Sequence, residues 1–256
     1  MTVLTFHSVD NTFSPGINNY RPDRFCRLIN RLKDSGCRFV SIDDYLASSP
    51  SDNDIALTFD DGYASFHEHV FPFLTDLAIP AAVFIPARFI GEPARWDYHR
   101  GFGRRHLSRN QLTEIAAVNF EIGAHGHSHC DLTSLSPRRL KLELSGAKNC
   151  LEDTVGREIK YISYPFGRFN ATVESYAAET GYHRGFSISS GTRSRSGFTV
   201  TGQAVYTIDT TYSVFNKIGR GPFSRLEKLK GMIINFYAGG TILLNRLRLT
   251  ERIDNP

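Results

Sequence analysis

The chain has 256 residues, of which 41% are hydrophobic, 22% charged and 12% aromatic, and this composition excludes collagen-like, disordered and low-complexity proteins. Its 30 Lys and Arg residues against 26 Asp and Glu give a formal net charge of +4, which is too balanced to indicate a nucleic-acid-binding protein with a dense basic surface. Four cysteines without a Cys-x-x-Cys pair exclude a disulfide scaffold and a structural zinc site of that type.

Short β-rich runs alternate with helical patterns from the start of the chain through residue 188. In chain order, the predicted strands (β) and helices (α) are β 3–7, α 23–35, β 38–42, β 55–59, α 66–77, β 81–85, α 110–117, β 119–124, α 137–155, β 159–163, α 171–179 and β 183–188. Pro72 is predicted to kink or split its helix, because a proline inside a helix removes a backbone hydrogen bond. Ser136 and Pro137 are typical of a helix start and Gly156 of a helix end.

Strands that alternate with helices favour parallel βαβ units. About seven such units favour a distorted (β/α) barrel, and an open doubly wound sheet is the alternative. We therefore predict a single-domain α/β fold with a barrel of about seven parallel strands. The barrel is expected over residues 1–210, with residues 211–256 as a helical extension packed on it.

Polar residues directly follow four of the predicted strands. They are His7 after the apolar run 3–6 of the first strand, Asp60 and Asp61 after 55–59, His125, His127 and His129 after 119–124, and Tyr164 to Gly167 after 159–163. Parallel α/β folds carry their active residues at the carboxyl ends of the strands. The four groups are therefore predicted to meet at one rim of the fold.

Asp60 and Asp61 are two adjacent carboxylates at a predicted strand end. Such a pair is electrostatically unfavourable unless a cation or a shared proton accompanies it. Because their side chains point in different directions, one can bind a metal while the other faces water on that metal. The alternative is a solvated Asp-Gly turn with no chemical role.

The second constellation is a cluster of three histidines in five residues. His125 and His129 are four residues apart, which suits convergence on one ion, and one added carboxylate leaves positions open as in a catalytic zinc site. An exposed polar loop is one alternative. Another places His125 and His127 on one face of an extended segment, as in metallo-β-lactamase-like or amidohydrolase-like sites. The metallo-β-lactamase pattern has an Asp before its last His, and this chain has Ser128 there. The amidohydrolase pattern prefers its paired histidines on the first strand, whereas these lie in the middle of the chain.

Together these residues resemble the polysaccharide deacetylase family, also called carbohydrate esterase family four or the NodB-homology domain. The family's first motif is intact at Thr58–Gly62, and its His-Ser/Thr-x-x-His motif is matched at His125–His129 with Gly126 in place of Ser/Thr. Tyr164–Gly167 keeps the Pro-Phe-Gly of the third motif, while Ser163 replaces the Arg. We therefore expect the catalytic aspartate to be steadied from elsewhere in the chain.

The family's last motif supplies a histidine, which most members carry near the carboxyl terminus. No histidine follows His183 here, and His7 on the first predicted strand resembles the placement in a circularly permuted branch. That branch contains the poly-β-1,6-N-acetylglucosamine deacetylases. The resemblance spans about His7 to Ile188.

The resemblance implies a metal-dependent hydrolase that removes N-acetyl groups from the sugars of a poly- or oligosaccharide or a lipid-linked glycan. It also implies one divalent metal ion, Zn²⁺ with Co²⁺ or Ni²⁺ as alternatives. The implied roles are metal ligation by Asp61, His125 and His129, general-base catalysis by Asp60, general-acid catalysis by His7, and oxyanion stabilisation by a backbone N–H near Phe166. Tyr164, Pro165 and Trp96 are expected to contact the acetylated glycan, Trp96 either as a stacking platform or as a packing residue.

Two other functions remain as alternatives. One is a metal-dependent amidohydrolase or deformylase that acts on a small amide, and the other is an inactive glycan-binding homologue. The four intact residues of the first two motifs, Asp60, Asp61, His125 and His129, argue against an inactive protein.

The ends of the chain give expectations about location. The start lacks the basic and long apolar stretches of a secretion signal, and no run reaches the ~20 apolar residues of a membrane-spanning helix. We therefore expect a cytoplasmic protein, or one at the inner membrane face. Basic and apolar residues alternate between Arg220 and Arg252, which we interpret as solvated helix faces, with peripheral contact to an anionic membrane as the alternative.

Overall fold

Seven parallel strands close into a barrel in the computed structural model, which describes residues 2–12, 16–47, 51–94, 104–118, 120–188, 194–223, 227 and 230. The strands are β1 (Thr2–Phe6), β2 (Ser8–Val9), β3 (Asn19–Tyr20), β4 (Arg38–Phe39), β5 (Asp54–Phe59), β6 (Ala81–Ile85), β7 (Phe120–Ala124), β8 (Tyr161–Ser163), β9 (Arg184–Ile188) and β10 (Thr199–Ala204). The helices are α1 (Pro22–Asp34), α2 (Ile42–Ala47), a π-helical turn (Phe66–Val70) that runs into α3 (Phe71–Asp76), α4 (Arg109–Ala116), α5 (Pro137–Val155), α6 (Ala171–Glu179) and α7 (Thr211–Lys217).

The order of strands around the barrel is β1, β10, β9, β8, β7, β6 and β5. β5 then pairs back onto β1, in a register that runs from Thr2 opposite Ile55 to Phe6 opposite Phe59. β4 adds to the beginning of β5, and β2 pairs separately with β3. This closure confirms the predicted barrel and excludes the open sheet.

Side chains of the barrel strands alternate between the barrel interior and the surrounding helices. Thr5 of β1 points inward, where its Oγ1 accepts a hydrogen bond from Thr58 Oγ1 of β5 at 2.9 Å. Its neighbour Phe6 points outward and packs edge to face against Phe25 of α1, with ring centroids 5.2 Å apart. The main core therefore lies between the barrel and its helices.

The prediction of a strand over residues 38–42 is wrong at its second half. Only Arg38 and Phe39 pair as a strand, and α2 begins at Ile42. Ser41 Oγ accepts a hydrogen bond from the Asp44 N–H at 3.0 Å, which caps the helix. The Ser-x-x-Asp spacing was the signal for this helix start.

The predicted interruption at Pro72 is confirmed. The π-helical turn ends at Val70, and α3 begins at Phe71 with Pro72 in its first turn, so the regular α-helical pattern is broken directly before the proline. The bounds of α5 are confirmed as well, since it begins at Pro137 and ends at Val155, where Gly156 caps it with φ +69°.

β10 completes the barrel by pairing with β9 and β1, yet the sequence pattern does not predict it. Its buried positions are Thr199, Gly202 and Ala204, so it lacks the large apolar side chains that identify the other strands.

The region after β10 is described only in part. α7 begins at Thr211, where the helical extension is predicted to begin, but most of residues 211–256 lie outside the described residues, so the extension stays a prediction. Arg220 Nη1 donates to the Ser35 carbonyl at 2.7 Å, and Lys230 Nζ donates to Asp209 at 2.7 Å. Among the described helices, none combines the length and apolar character needed to cross a bilayer.

We predict that replacing Asp209 with asparagine lowers the free energy of unfolding by about 3–5 kcal/mol. Asp209 is 0% exposed, and its carboxylate accepts hydrogen bonds from Lys217 Nζ, from Lys230 Nζ and from the Tyr206 N–H. The substitution leaves the buried Lys217 ammonium without its counter-ion. Urea denaturation measures the change, and the exposed Asp153→Asn is the control, expected to change stability by less than about 0.5 kcal/mol. An Asp209→Asn protein as stable as the wild type would contradict this prediction.

Candidate metal centre

Strand alternation delivers polar side chains to one end of the barrel. His7 and Asp60 are the next inward positions after Thr5 and Thr58, at the carboxyl ends of β1 and β5. His125 directly follows β7. Asp60 interacts electrostatically with both histidines, so the ends of these three strands meet at one site, as predicted.

Asp61, His125 and His129 converge on one point. Asp61 Oδ1 lies 3.5 Å from His125 Nε2 and 3.2 Å from His129 Nε2, and the three ligand atoms lie within 4.8 Å of one another. Asp61 is 6% exposed and His125 is 2% exposed. This burial excludes both the solvated turn and the exposed polar loop as interpretations of the two motifs.

The hydrogen bonds of His125 show that the cluster fits a cation. His125 Nδ1 donates to the Ser163 carbonyl at 2.8 Å, so the neutral ring turns the lone pair of Nε2 toward Asp61 Oδ1. Two buried acceptors that face each other are unfavourable unless a proton or a cation lies between them. One aspartate and two imidazoles form a donor set that Zn²⁺ and other divalent transition metals accept. The residues present therefore fit one divalent metal ion.

The same contacts set the pKa values of the cluster. Burial alone would raise the pKa of Asp61, but the hydrogen bonds of His125 and His129 outweigh it and hold that pKa well below its usual range. Burial likewise opposes a charged His125, yet the negative charges of Asp60 and Asp61 raise its pKa, so a proton at Nε2 and a cation compete for the same place. The cluster thus favours an ionised carboxylate, the form that binds a metal.

Asp60 lies beside the cluster without joining it. Its Oδ2 accepts a hydrogen bond from Ser163 Oγ at 3.0 Å, while its buried Oδ1 has no hydrogen-bond partner among the described residues. Burial raises the pKa of Asp60, the charges of His125 and His7 oppose that rise, and the charge of Asp61 adds to it. The expectation that Asp60 is steadied from elsewhere is wrong, because Ser163, at the position of the family's Arg, supplies the hydrogen bond.

The backbone of the site is strained. Asp61, His129 and Phe166 have φ of +69°, +56° and +61°, and they are three of the four described non-glycine residues in the left-handed region. Each such residue costs about 1–2 kcal/mol, which the surrounding contacts must offset. Gly62 has φ +56°, and a Cβ there would lie 2.7 Å from Ile85 Cδ1. The Asp-Asp-Gly order is therefore a steric requirement as well as a chemical one.

His106 supports the strained aspartate, and sequence reasoning missed it. Its buried imidazole donates from Nδ1 to the Asp61 carbonyl at 2.8 Å and stacks on Tyr63 with centroids 5.1 Å apart. Burial lowers the pKa of His106 to about 4, so its ring is neutral near pH 7. An isolated histidine outside any motif gives no signal in a single sequence.

The residues of the third motif lie in two different places: Tyr164 lies in the core, and Phe166 lies beside the cluster. Tyr164 packs into the core, where its ring stacks on Phe169 at 5.4 Å and its hydroxyl accepts from Thr199 Oγ1 at 3.4 Å, so the predicted glycan contact of this side chain is wrong. The Phe166 ring lies 4.9 Å from the His129 ring. Pro165 is buried at the loop between β8 and α6, and its predicted glycan contact stays a prediction.

His127 does not join the cluster. Its Nδ1 lies 3.6 Å from the position that a Cβ on Gly146 of α5 would take, so its imidazole faces that helix. The alternative in which His125 and His127 share one ion is therefore wrong. Trp96 lies outside the described residues, and its role stays a prediction.

Comparisons with known proteins agree with this geometry. The sequence model of the family described as polysaccharide deacetylase matches residues 47–185. YxkH of Bacillus subtilis (strain 168) is 29% identical over 146 residues, which are 57% of this chain and 48% of YxkH. The chain spans less than half the length of the curated relatives that it matches.

Two solved structures share the fold. IcaB from Ammonifex degensii has a TM-score of 0.68 and 25% identity, over 80% of this chain and 91% of its own. The Streptococcus pyogenes deacetylase PplD, solved in complex with acetate, has a TM-score of 0.72 and 22% identity, over 85% of this chain and 97% of its own.

Proposed function

The chain belongs to the polysaccharide deacetylase family, and on that premise we propose that it is a metal-dependent hydrolase that removes N-acetyl groups from a glycan. The observation that carries the proposal is a buried carboxylate oxygen, Asp60 Oδ1, which has no hydrogen-bond partner in the described part of the chain and lies beside the cluster of Asp61, His125 and His129. An amide is a poor electrophile with a poor leaving group, so its hydrolysis needs both a Lewis acid and a base near the attacking water.

The roles of the chain's own side chains follow from their contacts. When bound, a divalent cation supplies a Lewis acid that makes water more acidic and polarises the acetyl carbonyl. Asp61, His125 and His129 hold that cation. Asp60 accepts the proton of the attacking water at Oδ1, because Ser163 already occupies Oδ2 and fixes the carboxylate plane.

The departing amine needs a proton, and His7 is the proposed general acid. The charge of His7 acts on both Asp60 and Asp61, as expected for an imidazole at the same barrel end. A histidine on the first strand is the placement of the permuted branch, to which we assign this chain, and the likeness to IcaB supports that assignment. The backbone N–H of Phe166, whose ring packs on His129, is proposed to stabilise the oxyanion.

An acetate-release assay tests this function. We expect the chain to release acetate from at least one of a set of N-acetylglucosamine oligomers of different linkage, lipid-linked sugars and nucleotide sugars. EDTA should abolish the activity, and Zn²⁺ should restore it better than Co²⁺ or Ni²⁺. Hydrolysis of small amides or formamides alone would favour the other amidohydrolase, and no hydrolysis by the metal-loaded protein would overturn the proposal.

Contact with a membrane and a cytoplasmic location stay predictions. Arg220 and Lys230, the two basic residues of this region that the structure describes, both make intramolecular bonds, and these bonds support the solvated helix faces for that part of the region. Co-sedimentation with anionic liposomes tests for membrane binding, and we expect no salt-sensitive binding of the protein to the liposomes.

We predict that Ser163→Ala lowers kcat by roughly tenfold without changing metal content, since a net hydrogen bond to a charged group contributes about 1.5 kcal/mol or more. The substitution removes only the hydroxyl that orients Asp60. It keeps the backbone carbonyl that accepts from His125 Nδ1, so the metal ligand stays in place. Steady-state kinetics with metal analysis of the same samples measures the effect, and equal loss of metal and activity would contradict this separation of roles.

A further inference from the structure

The loop that carries two of the three clustered ligands has an unfavourable backbone. Gly126 and His129 have φ of +70° and +56°, so this five-residue segment from His125 to His129 reverses direction through two left-handed residues. His125 and His129 must nevertheless present Nε2 to the same Asp61 oxygen within 3.5 Å. Contacts from outside the loop therefore have to fix its shape.

One side of the loop is held by the barrel. The His125 N–H donates to the Ile85 carbonyl at 2.8 Å, and the Arg88 N–H donates to the His127 carbonyl at 2.9 Å. These bonds continue the pairing of β6 with β7 and fix the beginning of the loop. The N–H groups of His127 and Ser128 take no part in this pairing.

A single carboxylate on α5 takes those groups. Glu143 Oε2 accepts from the His127 N–H at 3.0 Å and from the Ser128 N–H at 2.9 Å, and Glu143 Oε1 accepts from Ser128 Oγ at 2.6 Å. Three donors from two consecutive residues thus bind one side chain of a different element. The loop is held between the barrel and α5.

We propose that Glu143 is a positioning residue that sets the spacing of His125 and His129 and thereby the affinity of the site for its metal. The functional importance of this role rests on the proposed function. The experiment that tests it does not, because metal binding is measured without substrate. The physical reason is geometric: with Glu143 in place the turn has one favoured shape, and without it the two N–H groups must find water and the turn relaxes. Loss of a group that hydrogen-bonds a metal ligand typically weakens metal affinity by about 10–100-fold, and we expect Glu143, which acts through the backbone between two ligands, to come near the lower end of that range.

Glu143→Gln is the variant that tests this, and α5 offers a matched control. Glutamine keeps the size of the side chain but removes its negative charge, so the two backbone N–H groups lose their charge-assisted acceptor. Glu152 lies on the same helix and also accepts a backbone N–H, that of Ile159 at 3.0 Å, as well as Lys148 Nζ at 2.9 Å. Glu152→Gln therefore reproduces the loss of a helix-to-backbone bond away from the cluster.

The measurement is titration of the metal-free proteins with Co²⁺, followed by the visible absorption of the bound ion and by the dissociation constant. We expect Glu143→Gln to raise the Kd for Co²⁺ by about tenfold or more and to change the absorption band, and Glu152→Gln to change neither. Ser128→Ala, which removes one of the three contacts, should give a smaller rise in Kd. If Glu143→Gln does not fold, the Kd of Ser128→Ala tests the positioning role instead.

The outcomes separate this inference from the proposed function. Wild-type affinity and spectrum in Glu143→Gln, or an equal loss in Glu152→Gln, would overturn the positioning role. A wild-type protein that binds Co²⁺ but releases no acetate would overturn the proposed deacetylase activity and leave the role of Glu143 intact. A wild-type protein that binds no Co²⁺ would overturn both.

Discussion

Replacing Asp60 with asparagine should reduce acetate release by about 10²–10⁴-fold while the protein still binds about one metal ion per chain. Asparagine keeps the shape of the side chain and can still accept from Ser163 Oγ, but its amide cannot take a proton from water. Because Asp60 is not part of the cluster of Asp61, His125 and His129, the metal should stay. Acetate release and metal content are measured on the same preparation.

Asp54→Asn is a matched control for this experiment. Asp54 stands at the other end of β5, where its carboxylate pairs with Arg38 through two bonds of 2.8 Å. Its substitution removes a carboxylate from the same strand, far from the barrel end that carries the cluster, so it should leave acetate release unchanged. Full activity in Asp60→Asn would refute its assignment as the base, and loss of metal from that variant would place Asp60 among the ligands.

The barrel could be predicted because most of its strands are buried on both faces. Every residue of β5 and of β6 is buried, so β6 appears in the sequence as a continuous apolar run and β5 as one interrupted only by Thr58 after its first residue, Asp54. β10 could not be predicted, since two of its three inward positions are the small residues Gly202 and Ala204, and its outward Thr199 bonds Glu174 of α6. The end of β4 was misjudged because Ser41 caps α2, a local hydrogen bond that outweighs an apolar run.

In the candidate site, too, residues within short sequence motifs could be predicted, and residues that reach the site from other elements could not. Asp60, Asp61, His125 and His129 could be predicted because each pair lies within a short motif at a strand end. The groups that hold them could not, since Glu143 and His106 reach the site from other elements and belong to no motif. The replacement of the family's Arg by Ser163 was visible in the sequence, but its hydrogen bond to Asp60 depends on barrel closure that brings β8 near β5.

Two histidines that stand two residues apart should respond in opposite ways to substitution. His129→Ala removes an imidazole whose Nε2 lies 3.2 Å from Asp61 Oδ1, so we expect the variant to lose its bound metal and its acetate release. His127→Ala removes an imidazole that faces Gly146 of α5, so metal content and activity should be retained. Metal analysis after gel filtration distinguishes the two directly.

Thermal unfolding gives a second readout that does not depend on activity. A metal that binds only the folded chain stabilises it by about 2.7 kcal/mol at a hundred times its Kd, which raises Tm by roughly 5–10 °C for a chain of this size. The wild type and His127→Ala should show that shift on addition of Zn²⁺, and His129→Ala should not. If His127→Ala lost the shift and His129→Ala kept it, the ligands would be His125 and His127, and the cluster around Asp61 would not be the metal site.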